Sequence, residues 1–314
     1  MYHPGRCVAQ TLLAGSLLTC LAARAAADLN VVVTIKPLHA LVSQVMAGAG
    51  TPRLLVAGAS SAHTYALKPS DAAKLNQADI FFRMSETMEP FTAKVAKSLP
   101  RRVDVVTLQE TPALKLLPRR TGATFEESDH HDGHGHKHTH GAIDGHAWLD
   151  PINAKLMADR IAQVLGAKEP ANTALFRANA EQLKAKLDSL NAEVARELAP
   201  VASKPYVVFH DALQYFERRY SLKVVGSIAM SPEVPPSAKR LSTLRKRVAA
   251  LGAVCVFAEP QFDTRLVDNL IEGTRARTGM IDPEGSKIEP GPDLYFKLLR
   301  NLASDLKACL ASVG

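Results

Sequence analysis

Short β-rich runs alternate with helical patterns twice along this chain, with one long helical stretch between the two sets. That arrangement limits the fold more than any other feature. In the first half, residues 30–35, 53–56, 80–83 and 102–106 read as buried strands, and helices are expected near 38–46, 69–76 and 89–98. In the second half the strands are expected at 206–209, 223–228, 254–258 and 278–281, with helices near 211–220, 237–250 and 264–275. Runs that are apolar throughout, rather than at every second residue, belong in sheets covered on both faces. Interleaved helices make such sheets parallel. The expected class is therefore α/β, with two lobes that each hold a parallel four-stranded sheet flanked by helices.

Between the halves, helical periodicity covers 151–165 and then 170–198. The second piece carries Leu175, Leu183, Leu187, Leu190, Val194 and Leu198 with charges between them. A helix over 170–198 would span about 44 Å at 1.5 Å per residue, more than a domain crossover needs. It reads as a rigid backbone helix across both lobes, which would restrict hinge opening. The expected division is a signal at 1–27, a first lobe at 28–165, a linking helix at 166–200 and a second lobe at 201–314.

The first residues read as a processing signal. Arg6 supplies the positive end, 11–23 is a largely apolar run, and Ala25-Ala26-Ala27 is an A-x-A cleavage site before Asp28. The run is too short to span a bilayer, which needs about 20 apolar residues. Export and release are expected, with cleavage near Ala27. The alternative, a lipid anchor on Cys20, fits poorly because Leu17-Leu18-Thr19 lacks the small residue expected before such a cysteine.

Without the signal the chain keeps 36 basic and 31 acidic side chains, a net charge of +5 from totals of 38 and 31 less Arg6 and Arg24. A modest, dispersed charge with 5% aromatic residues gives no support for nucleic-acid binding. Cys255 and Cys309 are the cysteines that remain. In an oxidising compartment an even pair favours a disulfide over free thiols. Closing that loop would stabilise the fold by about 4 kcal/mol on a chain-entropy estimate. A soft metal site on the two sulfurs is the alternative, and no C-x-x-C spacing supports it.

Histidine is concentrated in one place. The stretch HHDGHGHKHTH carries His130, His131, His134, His136, His138 and His140 and no apolar residue, so it cannot join a core. Such tracts suit metal binding, because neutral imidazole is a common ligand. An inert linker is the alternative; an expression tag is disfavoured because the tract is internal and irregular. The surrounding region, 118–145, has no strand or helix period and is expected to be a disordered insertion of the first lobe.

The mature chain has four other histidines: His39, His63, His146 and His210. His63 follows a strand, His210 closes one, and His146 precedes the Asp150-Pro151 helix start. Asp282 directly follows the strand at 278–281. Open α/β sheets bind ligands beyond the carboxyl ends of their strands, so these distant positions can converge. Each alone has an ordinary structural reading, a capping histidine or an Asp-Pro turn.

Six motifs in order, TIKPLHALV, AHTYALKPSD, GHAWLDP, VVFHDALQYF, VFAEPQF and MIDPEG, resemble the zinc-binding subunits of bacterial ABC importers, in the metal-specific cluster of periplasmic substrate-binding proteins. The resemblance runs over nearly the whole mature chain. It implies two α/β lobes joined by a long helix, with metal held in the cleft between them. It also implies His63 and His146 from the first lobe and His210 from the second as ligands, with Asp282 at the acidic position. Three imidazoles and a carboxylate suit tetrahedral zinc. Manganese-binding relatives usually carry glutamate where this chain has His210, and nitrogen-rich sites favour zinc. Some zinc members have a glutamate before the first histidine; here that residue is Ala62, which leaves the fourth position to Asp282, water or nothing, with Asp282 preferred. His39 reads as a core residue or one that backs the site.

The expected function is therefore periplasmic capture of Zn2+ and its delivery to an inner-membrane ABC permease, by a monomer with no catalysis of its own. The tract would be an accessory zinc collector. The basic run in 237–250, Lys239, Arg240, Arg245, Lys246 and Arg247, reads as a solvated face or a permease-docking surface. A carrier of manganese or another divalent metal is the alternative within the class. A secreted zinc hydrolase would need a water-bearing metal and a positioned base, and the chain has no H-E-x-x-H. An adhesin or storage role fits the soluble-type signal less well.

Overall fold

A computed structural model of the 314-residue chain describes residues 1, 29–58, 60–120, 122–125, 143–232, 234–252 and 255–312. The export signal and the six tract histidines lie outside the described residues.

The first lobe is built on β1 (Val31–Val33), β2 (Arg53–Leu54), β3 (Ile80–Arg83) and β4 (Asp104–Thr107). All pair in parallel, in the order β2-β1-β3-β4, with Val31 opposite Ile80 and Phe82 opposite Val106. The second lobe repeats the plan with β5 (Tyr206–His210), β6 (Val224–Ala229), β7 (Cys255–Ala258) and β8 (Arg277–Met280), in the order β6-β5-β7-β8. In each sheet the chain first adds a strand on one side and then crosses to the other. That reversal opens a crevice beyond the strand ends.

The helices of the first lobe are α1 (Lys36–Val45), α2 (Pro69–Gln77) and α3 (Thr92–Ser98). Two long helices follow, α4 (Pro151–Lys168) and α5 (Thr173–Leu198). The second lobe adds α6 (Gln214–Tyr220), α7 (Ala238–Leu251), α8 (Arg265–Ile271) and α9 (Leu294–Ala311). Asp150 caps α4 by accepting from the Ile152 amide, with Pro151 at the first helical position, where its missing N–H costs nothing. No described helix is long and apolar enough to cross a membrane.

The linking helix is shorter than its sequence suggests. Pro170–Asn172 form a 3-10 turn, and the 26 residues of α5 span about 39 Å. Phe176, Ala180, Leu183, Leu187, Leu190, Val194 and Leu198 are buried, a stripe at spacings of three and four that marks one helix face. That face meets α4, α1 of the first lobe and α9 of the second. The main hydrophobic cluster accordingly runs without a break from Val31 to Leu310 through both lobes. Each sheet's other face has its own smaller cluster, around Phe81 and around Val256. A core shared through α5 resists rotation of the lobes, since opening would expose apolar surface. A disulfide joins the buried Cys255 of β7 to Cys309 of α9, with Cα atoms 6.3 Å apart, and pins the last helix to the second sheet.

The region 118–145 departs from its expected featureless character at both ends. Pro118 pairs antiparallel with Ile143 in the first lobe, while Thr124 bridges to Gly226 on the outer strand of the second sheet. The backbone itself supplies the interaction: Phe125 donates to the Val225 carbonyl and Ser227 donates to the Ala123 carbonyl. A polar composition hides such pairing, because strand-to-strand hydrogen bonds need no apolar side chain.

Candidate metal centre

Three buried imidazoles meet between the lobes. His63 lies on the turn that follows β2, His146 opens the short 3-10 turn Ala147–Leu149 ahead of α4, and His210 ends β5. Their exposures are 6%, 4% and 2%. One ring nitrogen from each falls within 4.8 Å of the others. The Nε2 atoms of His63 and His146 are 3.2 Å apart, and those of His210 and His146 are 3.4 Å apart. Ligands about 2.0–2.1 Å from a tetrahedral ion stand about 3.3–3.4 Å from one another. Both measured spacings match those of neighbouring ligands on such an ion.

Two carboxylates fix which nitrogen faces inward. His146 Nδ1 lies 2.7 Å from Asp144 Oδ1, and the same oxygen accepts from the His146 amide. His210 Nδ1 lies 2.5 Å from Glu259 Oε1, which also accepts from the His210 amide. A carboxylate at Nδ1 places the proton there, so each Nε2 presents a lone pair to the centre. Two lone pairs facing each other at 3.4 Å repel, and a cation between them removes the repulsion. Burial pushes the His210 pKa down, while Glu259 beside it and the charges of Glu284 and Asp211 push it up; the net direction is upward.

Local structure sets up this geometry. Gly145 passes close to Met88, whose Cβ a methyl group there would approach to 2.8 Å, so glycine lets the Asp144–His146 turn sit against the first lobe. Trp148 donates to the Pro283 carbonyl, and Tyr295 donates to the Trp148 carbonyl. Lys36, at the start of α1, reaches across the cleft and donates to the carbonyls of Gly285, Ser286 and Ile288. These bonds fix the loop after β8 against the first lobe.

That loop separates its two acids. Neither Asp282 nor Glu284 is gathered with the three histidines within that 4.8 Å spacing. One Asp282 oxygen accepts from Gln261, and the other accepts from the Ser286 hydroxyl and the Lys287 amide, so the side chain closes its own turn. Glu284, two residues on, is buried and turned to the first lobe, where it accepts from the Ser61 hydroxyl and the Ala62 amide beside His63. Burial pushes its pKa up to about 7, against those hydrogen bonds and the attraction of His210. Sequence reasoning passed over Asp144, Glu259 and Glu284. Each stands in a quoted motif or next to one: Asp144 two residues before His146, Glu259 just past a strand end, Glu284 in MIDPEG. His39 is elsewhere: its Nε2 lies 3.0 Å from the Pro52 carbonyl, a buried position in the first lobe.

A two-lobed α/β frame with a long connecting helix and a histidine centre in the cleft defines a metal-binding substrate-binding protein of the ABC-importer type. Residues 31–309 match the family described as ZnuA, zinc-uptake complex component A, periplasmic, and the chain belongs to that family. It is 44% identical over 306 residues to the high-affinity zinc uptake system protein ZnuA of Brucella suis biovar 1, covering 90% of this chain and 92% of that one. Among solved structures it resembles a crystal structure of ZnuA with a TM-score of 0.74 at 23% identity, over 90% of this chain and 100% of the other. It also resembles the Zn(II)-bound ZnuA-like domain of Streptococcus pneumoniae AdcA, with a TM-score of 0.67 at 25% identity, over 89% and 99%.

Proposed function

We propose that this chain captures Zn2+ in the periplasm and passes it to an inner-membrane ABC permease, with no bond-making chemistry of its own. The observation that carries the reading is the convergence of three buried imidazoles, with the Nε2 atoms of His63 and His210 each 3.2–3.4 Å from that of His146, and two of the rings held ligand-ready by Asp144 and Glu259. His63, His146 and His210 are the metal ligands in this reading. A site with three nitrogens selects zinc over manganese, which prefers oxygen. The Brucella relative is named for zinc uptake, and the AdcA domain holds Zn(II), in agreement with that choice.

The acid of the site is Glu284 in this reading, and Asp282 holds the loop that carries it. Both oxygens of Asp282 are occupied, one by Gln261 beyond β7 and the other by Ser286 and Lys287 of its own loop, whereas Glu284 is buried against the residues that precede His63 and interacts electrostatically with His210. Its charge supplies from the second lobe the carboxylate that Ala62 lacks. His130, His131, His134, His136, His138 and His140 act as an accessory collector. They bind further zinc more weakly than the centre, because a glycine-rich tract with no apolar residue to pack it meets an ordering cost that a preformed site avoids. Residues 1–27 direct export and are cleaved near Ala27, and the mature chain works as a monomer.

Competition of the metal-free chain against a zinc chelator of known affinity tests this reading. One tight site is expected, with manganese held far more weakly, and His210→Ala should lower zinc affinity about a hundredfold or more. An unchanged affinity in a folded His210→Ala protein would place the centre elsewhere.

A further inference from the structure

The start of the region 118–145 leaves the first lobe and lies against the second, close to one of the three histidines. We propose that this segment, residues 118–120 and 122–125, is a strap between the lobes, and that Arg120 in it is a positioning residue that sets how fast bound metal leaves. The inference rests on the zinc reading above.

Three observations define the strap. First, Thr124 lies antiparallel on β6, the exposed edge of the second sheet, with hydrogen bonds on both sides of Gly226. Unpaired strand edges attract partners, and here the chain itself fills the edge. Second, a Cβ on Gly226 would stand 2.4 Å from the Ala123 carbonyl oxygen and 2.7 Å from Leu244. A glycine inside a strand marks such a close backbone approach. Third, Arg120 is inserted between two buried acids. Its Nε lies 3.0 Å from both oxygens of Asp211, its Nη2 pairs with Asp211 as well, and Nη2 lies 2.9 Å from Glu217. The guanidinium stacks on the ring of Phe125, 3.8 Å from its centroid, and Arg240 of α7 donates to the Gly122 carbonyl.

Asp211 directly follows His210. The proposed metal is held by His63 and His146 from the first lobe and by His210 from the second, so release requires His210 to draw away from the other two. Arg120 fixes the turn after His210, and the paired backbone fixes the neighbouring strand. Both are joined through Pro118 to Ile143, three residues from His146. Tyr215 reinforces the join: its hydroxyl accepts from the Leu117 amide and donates to the Asp144 carbonyl. Withdrawal of His210 therefore works against the strap, while a metal entering an already assembled centre does not. The strap slows departure and leaves arrival unchanged.

The test is a stopped-flow chase of zinc-loaded full-length chain into excess chromophoric chelator, with the uptake rate measured separately. Arg120→Ala should release zinc at least about tenfold faster, with uptake within about twofold of the parent. Arg120→Lys, which keeps the charge without the fork, should fall between. Phe125→Ala, which leaves the buried acids paired, should shift release in the same direction and serves if Arg120→Ala does not fold. Hydrogen exchange at the Ser227 amide reads strap docking directly and should speed up in both alanine variants. A parental release rate in a folded variant whose Ser227 amide has lost protection would overturn the proposal. A parent that takes up no zinc would instead sink the zinc reading.

Discussion

Replacing Glu259 by glutamine probes the centre without touching a ligand. The change keeps the volume and one carbonyl oxygen, so the His210 amide and Nδ1 keep an acceptor, but it removes the negative charge 2.5 Å from the ring. That charge makes His210 a stronger donor to a cation through Nε2. Loss of such a partner typically costs 10–100-fold in metal affinity, or about 1.4–2.8 kcal/mol. The same charge also raises the His210 pKa in the metal-free state, and metal binds only the deprotonated ring. Proton competition thus sets in at higher pH in the parent than in Glu259→Gln. The affinity gap should be widest near pH 8 and should narrow as pH falls toward 6. Chelator competition at several pH values measures it. Equal affinities at pH 8, or a gap that does not change with pH, would refute the role given to Glu259.

Other consequences concern the acids, the disulfide and the pH dependence of folding. Glu284→Gln should weaken zinc binding more than Asp282→Asn, measured by calorimetry on both; the reverse order would restore Asp282 as the acid of the site. Serine at both Cys255 and Cys309 frees a 54-residue separation and should cost about 4 kcal/mol, a fall in Tm of roughly 7 °C for a chain of this size; a change within a degree would mean the bridge does not support the fold. Glu89 is fully buried, and burial pushes its pKa up to about 7 despite hydrogen bonds from Thr34, Met84 and Ser85. A raised acid pKa means stability that is full below about pH 4.5 and lost as pH rises through 7, on the order of 3 kcal/mol. Glu89→Gln should then match the metal-free parent at pH 5 and exceed it in Tm at pH 8, and a difference that stays constant with pH would contradict this.

The architecture was legible because each strand is apolar along its length and each helix keeps a period of three to four. Tyr206–His210 and Ile80–Arg83 carry their own signal, and so does the buried stripe of α5. The three histidines were legible because they sit at strand ends and helix starts in a chain with few histidines outside the tract. The acids were harder. Asp282 and Glu284 are two residues apart in one turn, and only the fold shows that one faces its own loop and the other the cleft. The strap left no trace in hydrophobic pattern, since its attachment is backbone pairing and one buried arginine. Gly226 was its single mark, a glycine in an otherwise β-rich run. The Pro170 break was visible as a proline, but a proline can equally begin a helix.

Anomalous diffraction from crystals of the zinc-loaded chain, collected above the zinc absorption edge, tests the central claim most directly. The account predicts one dominant peak about 2.0–2.1 Å from the Nε2 atoms of His63, His146 and His210. A dominant peak elsewhere, with no density among those three nitrogens, would contradict it.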